Sequence, residues 1–582
     1  MKPNMNGFKA RAAAPGTKKS VAFGLLAIAL VSCSQNDLYD GSGSESSGNK
    51  FGASVFGSPV GDVVGKVTVG YQGWFAAAGD GSPYNSWQHQ NLEMWPDCSE
   101  YTSTYAGSPF TQAGVTQPGY FGNLGNGQPA KMFSSYDQQV SNVHALWMQQ
   151  NGIDCIALQR FGSAIVAGSV KKAQFDGIAT RMKNAAQTYG RKFYIMYDCS
   201  ATDPIDADWT STITGTLNLV ASPNYAKQNG KPVVCFWGVG KSGRGTTADW
   251  LTKINWFKAQ GCYVIGAPLA NFATDTPNQP AYNACDMIMP WHVGKQGGFQ
   301  ATYTSDLAYC NANGLDYQAM SYPGTAFYNT NGASSPQNQI KRMYGNFMWS
   351  QFAGMRNAGV QSVYVAMFDE AQEATSIFKC AEDASQIPAG KYFLTLDADG
   401  VACSKDFYLR LVNNGGKMVK GIIPYQATHT TPYTNYLDVC DASTGWISAN
   451  TLSVNTTDKK EGTASLQSVG SGTDEFKKVF TPFNSGASVA TGKIQFWYYV
   501  SDITRFSASN QIEVGSGGAA DVNEYNWNIG PLVNGWNLVT KTFATASTTG
   551  GTPNLNAINW IRIYHSKTAS ITTKVDAIQV FP

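Results

Sequence analysis

The sequence predicts an α/β fold, a (β/α)8 TIM barrel, followed by a C-terminal all-β sandwich of jelly-roll type. Three observations predict it. Between residues 66 and 380 short runs rich in β-branched and aromatic residues alternate with longer amphipathic segments, the pattern of parallel βα units. From Leu437 onward only short alternating runs remain, separated by Gly/Ser/Thr turns, as in stacked antiparallel strands. A chain of 582 residues also exceeds what one core accommodates, so two or more domains are required.

Eight strands are predicted over Val67–Phe75, Ile153–Phe161, Lys192–Asp198, Pro232–Gly238, Cys262–Ala267, Asp286–Trp291, Leu315–Ser321 and Val360–Phe368. Helical periodicity fills Tyr136–Asn151, Ala173–Tyr189, Thr247–Gln260 and Gln337–Ala358. A doubly wound open sheet is the alternative, but no Gly-rich phosphate loop follows the first strand. Phe393–Val412 reads as a hairpin-type appendage ending at Asn413-Asn414-Gly415-Gly416, and the Thr/Tyr-rich stretch after it reads as linker. The expected sandwich strands include Ala464–Val469, Lys493–Val500, Trp536–Phe543, Trp560–Tyr564 and Thr573–Val580.

The N-terminus is a targeting segment. Lys18 and Lys19 precede the apolar run Val21–Val31, which is too short to span a bilayer. The run leads into Leu30-Val31-Ser32-Cys33, which resembles a bacterial lipobox and implies cleavage before Cys33 and lipidation of its thiol. A plain secretory signal with a chance cysteine is the alternative. Ser34–Lys50 is polar and Gly/Ser-rich, suited to a tether. The expected organisation is therefore signal peptide 1–33, tether 34–63, barrel 64–412, linker 413–436 and sandwich 437–582. The protein is expected on the cell envelope, lipid-anchored at the outer membrane or cell surface, as a monomer.

Cleavage removes five basic residues and no acidic ones. The 41 basic residues thus fall to 36 against 39 acidic, a net of −3, which offers no basic face for nucleic acid. Aromatic residues make up 13% and charged residues only 14%, a supply of flat apolar rings on which the C–H faces of sugars pack. Ten cysteines follow Cys33. Cys155, Cys199, Cys235 and Cys262 lie in strand-like runs, so mostly free, buried thiols are expected. The five histidines (89, 144, 292, 429 and 565) form no H-E-x-x-H, and no catalytic metal is expected. Asp441 and Asp576 are candidate ligands of a structural Ca²⁺ in the sandwich.

In a barrel the C-terminal strand ends converge on one face, where catalytic residues sit. Here seven of eight ends carry an aromatic residue and five a strongly polar one. The last strand closes in Phe368-Asp369-Glu370, with Glu373 three residues on. Two carboxyl groups in one pocket are what glycoside hydrolysis requires, one as acid and the other as base or nucleophile. First-turn acids offsetting a helix dipole are the competing reading. Asp369 either orients Glu370, binds a hydroxyl or bonds to backbone. Tyr71, Gln72 and Trp74 offer a hydroxyl, an amide and a stacking ring, and Trp74 equally suits lid packing. Gln159 and Arg160 either contact sugar hydroxyls, or Arg160 pairs with a carboxylate such as Asp198. Tyr197, Asp198, Trp237, Trp291, His292 and Tyr322 are substrate-binding candidates by position. Trp87, His89 and Trp95, in the long segment after the first strand, are expected to wall the cleft, and His144 reads as an ordinary helix residue. In the sandwich, Phe496-Trp497-Tyr498-Tyr499, Tyr525, Trp527 and Trp536 are weighed as sugar platforms. Strand alternation sends about half of the first four into the core.

MFDEAQEATSIF, together with GYQGWF, NSWQH, EMWPDCSEY, WMQQNGIDCIALQRF and YIMYD, resembles the glycoside hydrolase family 71/99-like proteins over residues 64–412. These are relatives of endo-α-mannosidases, endo-α-mannanases and α-1,3-glucanases, and some carry the name xylosidase/arabinosidase. The resemblance implies a Glu-x-x-Glu pair at the last strand and a retaining, substrate-assisted route through a 1,2-anhydro sugar. Glu370 would take the proton of the sugar 2-OH, and Glu373 would protonate the leaving oxygen and then activate water. Ala371-Gln372 stands where that family has Trp-His, and Ala374 where it has Gly, so substrate identity does not carry over. The expected function is hydrolysis of an α-linked polysaccharide, of α-mannan or α-glucan type and internal. The alternative is a non-catalytic, surface glycan-binding lipoprotein on a hydrolase-like barrel.

Overall fold

The computed structural model describes residues 57–581 except 90, 108–109, 113, 118–121 and 507–509. The signal peptide, Cys33 and most of the tether lie outside the described residues. Eight parallel strands form the first sheet: β1 (Val67–Tyr71), β2 (Cys155–Phe161), β3 (Lys192–Asp198), β4 (Lys231–Trp237), β5 (Tyr263–Ala267), β6 (Met287–Ile288), β7 (Asp316–Ser321) and β8 (Ser362–Val365). Each pairs with its neighbours in chain order, and β1 pairs with β8 (Thr68 opposite Tyr364), so the sheet closes into a barrel. All eight predicted strands are present. Both sheet faces are covered, which is why these strands read as continuous apolar runs.

The barrel interior is packed by side chains. Gln318 Nε2 donates to Thr68 Oγ1 at 3.1 Å, and the Tyr364 hydroxyl lies 3.4 Å from Met196 Sδ. Gly70 faces the same layer, where any Cβ would collide with the Tyr364 hydroxyl and Met367.

Helices α1 (Gln138–Gln150), α2 (Val170–Thr188), α3 (Thr247–Ala259), α4 (Phe299–Ala312), α5 (Asn346–Ala358) and α6 (Phe407–Val419) supply the outer layer. Ser169 caps α2 by accepting from Lys172 N, and Thr246 with Asp249 forms a capping box on α3. Three differences from the sequence expectation have physical causes. Helix α4 was not expected, because it buries only Phe299, Tyr303, Asp306 and Cys310, a narrow stripe containing an acid. The helix expected from Gln337 begins only at Asn346. Residues 337–345 bend instead, with positive φ at Met343, Tyr344 and Gly345, and carry Arg342 into the interior.

The third difference is a correction. The expected hairpin ending at Gly415-Gly416 is in fact helix α6, which runs through both glycines and through the expected start of the linker at 413. A Cβ at Gly415 would penetrate the Phe352 ring, and one at Gly416 would lie 2.7 Å from Val67 Cγ2. These glycines let α6 press against α5 and the barrel, a packing reason that outweighs their poor helix propensity. The stretch after α6 is packed as well: Arg410 Nη1 donates to Pro432 O at 2.7 Å and Trp349 Nε1 to Gln426 O at 2.9 Å.

The second sheet is antiparallel: β9 (Tyr436–Asp438), β10 (Thr451–Asn455), β11 (Ser465–Phe483), β12 (Lys493–Val500), β13 (Gln511–Gly515), β14 (Glu524–Asn528), β15 (Gly535–Thr542), β16 (Ser547–Thr549) and β17 (Ile558–Phe581). Strand β17 pairs with β11 along one edge and, on the other, with β13 in its first part and β12 in its second. The sheet therefore divides into two arms around one core that includes Phe496, Tyr498, Ile512, Val514 and Ile563. Phe496 and Tyr498 are core and Trp497 and Tyr499 lie on the other face, as alternation requires.

Asp441 Oδ1 accepts from the backbone N–H groups of Thr463 and Ala464, and Asp576 Oδ2 from those of Lys460 and Glu461. The two acids anchor one loop, a role that needs no cation. Among the described residues no group of three or more His, Cys, Asp and Glu side chains is placed to hold a metal ion. The ten cysteines after Cys33 are free thiols, all buried except the half-buried Cys98. Among the described residues no helix is long and apolar enough to cross a membrane.

The packing of α6 is testable. Gly415→Val is expected to destabilise the protein by about 1–3 kcal/mol through overpacking, read from the midpoint of thermal unfolding. Gly297→Ala, whose Cβ meets nothing within 4 Å, is expected to leave that midpoint unchanged.

Candidate active site

The chain leaves β8 still bonded to both neighbours. Ala366 N donates to Ser321 O at 2.9 Å and Phe368 N to Gly70 O at 2.8 Å. It then turns back on itself, with Met367 N on Thr375 O and Ile377 N on Met367 O. The acids therefore sit on a tight loop rooted in the barrel wall at its C-terminal mouth.

Asp369 is spent on backbone. Its carboxylate accepts from Gln72 N at 2.7 Å and Gly73 N at 2.9 Å, which ties the end of β8 to the end of β1. Gly73 has φ +61°, and this left-handed turn aims two successive N–H groups at one carboxylate. Burial pushes the Asp369 carboxyl up to about 6 against the pull of these two donors.

Glu370 is 1% exposed and held at both oxygens. Gln72 Nε2 donates to Oε2 at 3.1 Å, while Gln372 N and Glu373 N donate to Oε1 at 2.9 and 3.3 Å. Burial first, then the nearby charges of Glu373 and Asp369, push its carboxyl well above the usual range. Glu373 is half-buried and is also pushed up by burial. Its backbone O is held by Ala326 N and Thr325 Oγ1, while no described residue donates to its carboxylate. The charge on either of two neighbouring carboxyls disfavours ionisation of the other. The three donors favour the charged form of Glu370, against burial and the neighbouring acids.

The loop has its own supports. Arg342, buried, donates to Ala374 O at 2.8 Å and Ser376 O at 2.7 Å. Glu93 N and Met94 N both donate to Ala371 O. The Glu93 carboxylate accepts from Asn329 N, keeps Oε2 unpartnered among the described residues, and is pushed by burial up to about 7. Gln372 bonds to Asn91 and to His89 Nδ1 (3.1 Å), and the His89 ring stacks on Trp74 with centroids 4.0 Å apart. Burial holds His89 down to about 4, so it is neutral. The segment after β1 does reach the acids, through His89, Asn91 and Glu93.

On the rim across the barrel, the Trp237 and Trp291 rings meet edge to face at 5.8 Å. Lys241 Nζ lies 4.2 Å over Trp237, and Arg244 Nη1 bonds to Asp198 at 2.5 Å. Asp198, Trp237 and Trp291 are half-buried at the mouth.

Six expected substrate-binding residues lie elsewhere. The Arg160 guanidinium is 2% exposed and is committed to Asp208 (2.6 Å) and Asp176 (2.8 Å), not Asp198. Tyr197, opposite Arg160 in the β2–β3 register, donates to the same Asp208 at 2.8 Å. Tyr71 points to the helix layer, where His144 bridges its hydroxyl (2.9 Å) and that of Tyr101 (2.7 Å). His144 is thus a buried link rather than an ordinary helix residue. Gln159 is buried against Met196 and Tyr364. His292 is buried with Nε2 3.3 Å from Asp306 Oδ2, and the Tyr322 hydroxyl donates to Lys295 O at 2.5 Å. Trp74 stays at the mouth, but His89 covers one of its faces. Arg342, Glu93, Lys241 and Arg244 were not anticipated. Only the last two had a signal, two bases in the Gly-rich loop Gly238–Gly245 after β4.

No family model and no curated protein matches the sequence. Among solved structures the chain is similar to a GH99 endo-alpha-mannosidase from Bacteroides thetaiotaomicron, at 15% identity and a TM-score of 0.44, over 62% of this chain and 98% of that one. It is similar also to a glycoside hydrolase-like protein, at 14% identity and a TM-score of 0.37, over 63% and 97% of the two chains. A family 30 carbohydrate-binding module from Clostridium thermocellum aligns over 23% of this chain and 82% of its own, at 12% identity and a TM-score of 0.19. The closed ring of strands, rather than these likenesses, defines the barrel.

Glu93 gives a pH test. Its folded pKa of about 7 lies above the ordinary glutamate value of 4.5, so its contribution to stability is full below about 4.5 and lost as pH rises through 7. Glu93→Gln is expected to match wild type near pH 4 and to exceed it at pH 8 by on the order of 2 kcal/mol, measured by urea unfolding at both pH values. Arg160→Met is expected to lower stability by about 3–5 kcal/mol, because it strands the buried Asp208, and to leave glycan affinity of the folded fraction unchanged.

Proposed function

We propose that the chain is a glycoside hydrolase that cleaves an α-linked polysaccharide, of α-mannan or α-glucan type, internally and with retention of configuration. The observation that supports this reading most is the Glu370–Glu373 pair at the mouth of β8, one carboxyl fixed by three donors and the other free of any described donor, with burial raising both and the neighbouring acids raising Glu370 further. Such a pair is set up to exchange one proton with a substrate.

In the proposed cycle, which requires a 2-OH trans to the leaving group as in an α-mannoside, Glu370 takes the proton from the sugar 2-OH as O2 attacks C1. Glu373 gives its proton to the departing glycosidic oxygen as the C1–O bond breaks, leaving a 1,2-anhydro sugar. Glu373 then takes a proton from water as that water attacks C1, the C1–O2 bond breaks, and O2 recovers its proton from Glu370. Two displacements at C1 return the original configuration. Gln72 fixes Glu370, and Trp237 and Trp291 offer apolar surface to the chain on the opposite rim. Polysaccharide is the partner, acting on a monomer. Lipid attachment through Cys33 at the outer membrane or cell surface belongs to the same proposal and rests on the lipobox. A sandwich that binds the same polymer would raise its effective concentration at the barrel.

The test uses α-mannan, α-1,3-glucan and arabinoxylan. Wild type is expected to release oligosaccharides from one of the first two, and Glu373→Gln to lose about 10²–10⁴-fold in rate. A substrate with an activated leaving group should restore Glu373→Gln turnover but not that of Glu370→Gln. Binding of one glycan with hydrolysis of none would establish the non-catalytic alternative instead.

A further inference from the structure

Barrel and sandwich together enclose a cleft of about 490 Å³ whose lining includes neither Glu370 nor Glu373. One wall comes from residues 95–104 and 124–131 of the segment after β1, and the other from residues 458–462 and Trp536 of the sandwich. Its floor is an ion network that joins the two. Lys405, 3% exposed, pairs with Asp97 of the barrel at 3.1 Å and with Glu461 of the sandwich at 2.7 Å. The Tyr436 hydroxyl bonds to both Glu382 (3.0 Å) and Glu461 (2.8 Å). The cleft is therefore preformed, and its volume is that of an ordinary ligand site.

The lining carries four lysines against three carboxylates. Asp97 and Glu461 are spent on Lys405, and Asp458 is spent on Lys574 and on Trp536 Nε1. Three lysines remain: Lys131 from the barrel wall, and Lys459 and Lys460 from the sandwich wall. None of them pairs with a carboxylate among the described residues. Lys459 is only 7% exposed, and its ammonium bonds to the Thr456 carbonyl at 2.7 Å. A cation this buried is costly without a counter-charge. Lys460 lies 4.5 Å over the Trp497 ring; burial lowers its pKa, the charges of Asp458, Asp576 and Glu461 raise it, and Lys131 lowers it. Trp536 is half-buried, held at its edge by Asp458 and set against Tyr499 at 5.5 Å. A locked indole beside ammonium groups that form no ion pair among the described residues combines apolar ring contact with anion recognition.

We propose that this cleft is a second, non-catalytic binding site, for an acidic oligosaccharide whose ring packs on Trp536 and whose anionic groups lie among Lys131, Lys459 and Lys460. Carboxylate and sulfate share the required chemistry. The site stands independently of any reaction at the barrel mouth.

Isothermal titration of the full chain tests it with three probes of equal length: an oligogalacturonate, a chondroitin sulfate oligosaccharide and a neutral xylo-oligosaccharide. At least one acidic probe is expected to bind at least tenfold more tightly than the neutral one and to weaken with salt, and the acidic probe that binds identifies the anion. Lys131→Ala with Lys460→Ala, and separately Trp536→Ala, should each weaken that binding at least tenfold, with circular dichroism confirming the fold. Glu373→Gln should leave it unchanged. Equal binding of the neutral probe, no binding of either acidic probe, wild-type affinity in the lysine double variant, or a loss in Glu373→Gln would each overturn the proposal.

Discussion

Two backbone N–H groups on one carboxylate, those of Gln72 and Gly73 on Asp369, fix the seam where the last barrel strand meets the first. This contact places the Gln72 amide on Glu370 and sets the loop that carries Glu373. It works because Gly73 adopts a left-handed turn and because Asp369 is shielded from water, where an unsatisfied N–H would cost about 1–3 kcal/mol. Asp369, next to the proposed pair in sequence, is thus committed to backbone. It is the bracket on which the other two are mounted.

Burial at this seam has a second consequence. Asp369, Glu370, Glu373 and Glu93 all have raised carboxyl pKa values, with burial as the largest cause in each. The molecule concentrates acids that resist ionisation in one place and supports their loop from outside with Arg342 and the 89–94 segment. These supports leave Glu373, alone of the three acids on the loop, without a described donor on its carboxylate. The asymmetry between a fully bonded Glu370 and an open Glu373 distinguishes the two carboxyls more sharply than their spacing does.

Much of this was legible in the sequence. All eight barrel strands follow from short apolar runs, and the acids at the end of β8 stand out because apolar strands seldom end in clustered carboxylates. What was not legible is which way each strand-end side chain faces. Position places Tyr71, Arg160 and Tyr197 at the mouth, but the alternation of a strand sends them to the helix layer, where they meet His144, Asp176 and Asp208. Their neighbours Gln72 and Asp198 go to the site. Helix α6 was hidden for another reason. Its Gly415-Gly416 reads locally as a turn, and only the Phe352 ring and Val67 across the contact explain glycine there. Arg342 carried no signal, since its partners are carbonyl groups that any sequence supplies.

The central proposal is that Glu373 carries the proton of the Glu370–Glu373 pair, where the proposed cycle needs it. Infrared difference spectroscopy of the wild type against Glu373→Gln, in protein labelled with carbon-13 at the glutamate carboxyl, tests it most directly. The account predicts that the substitution removes a protonated carboxyl band and leaves the ionised carboxylate bands in place. Loss of a carboxylate band, with no protonated glutamate missing, would contradict it.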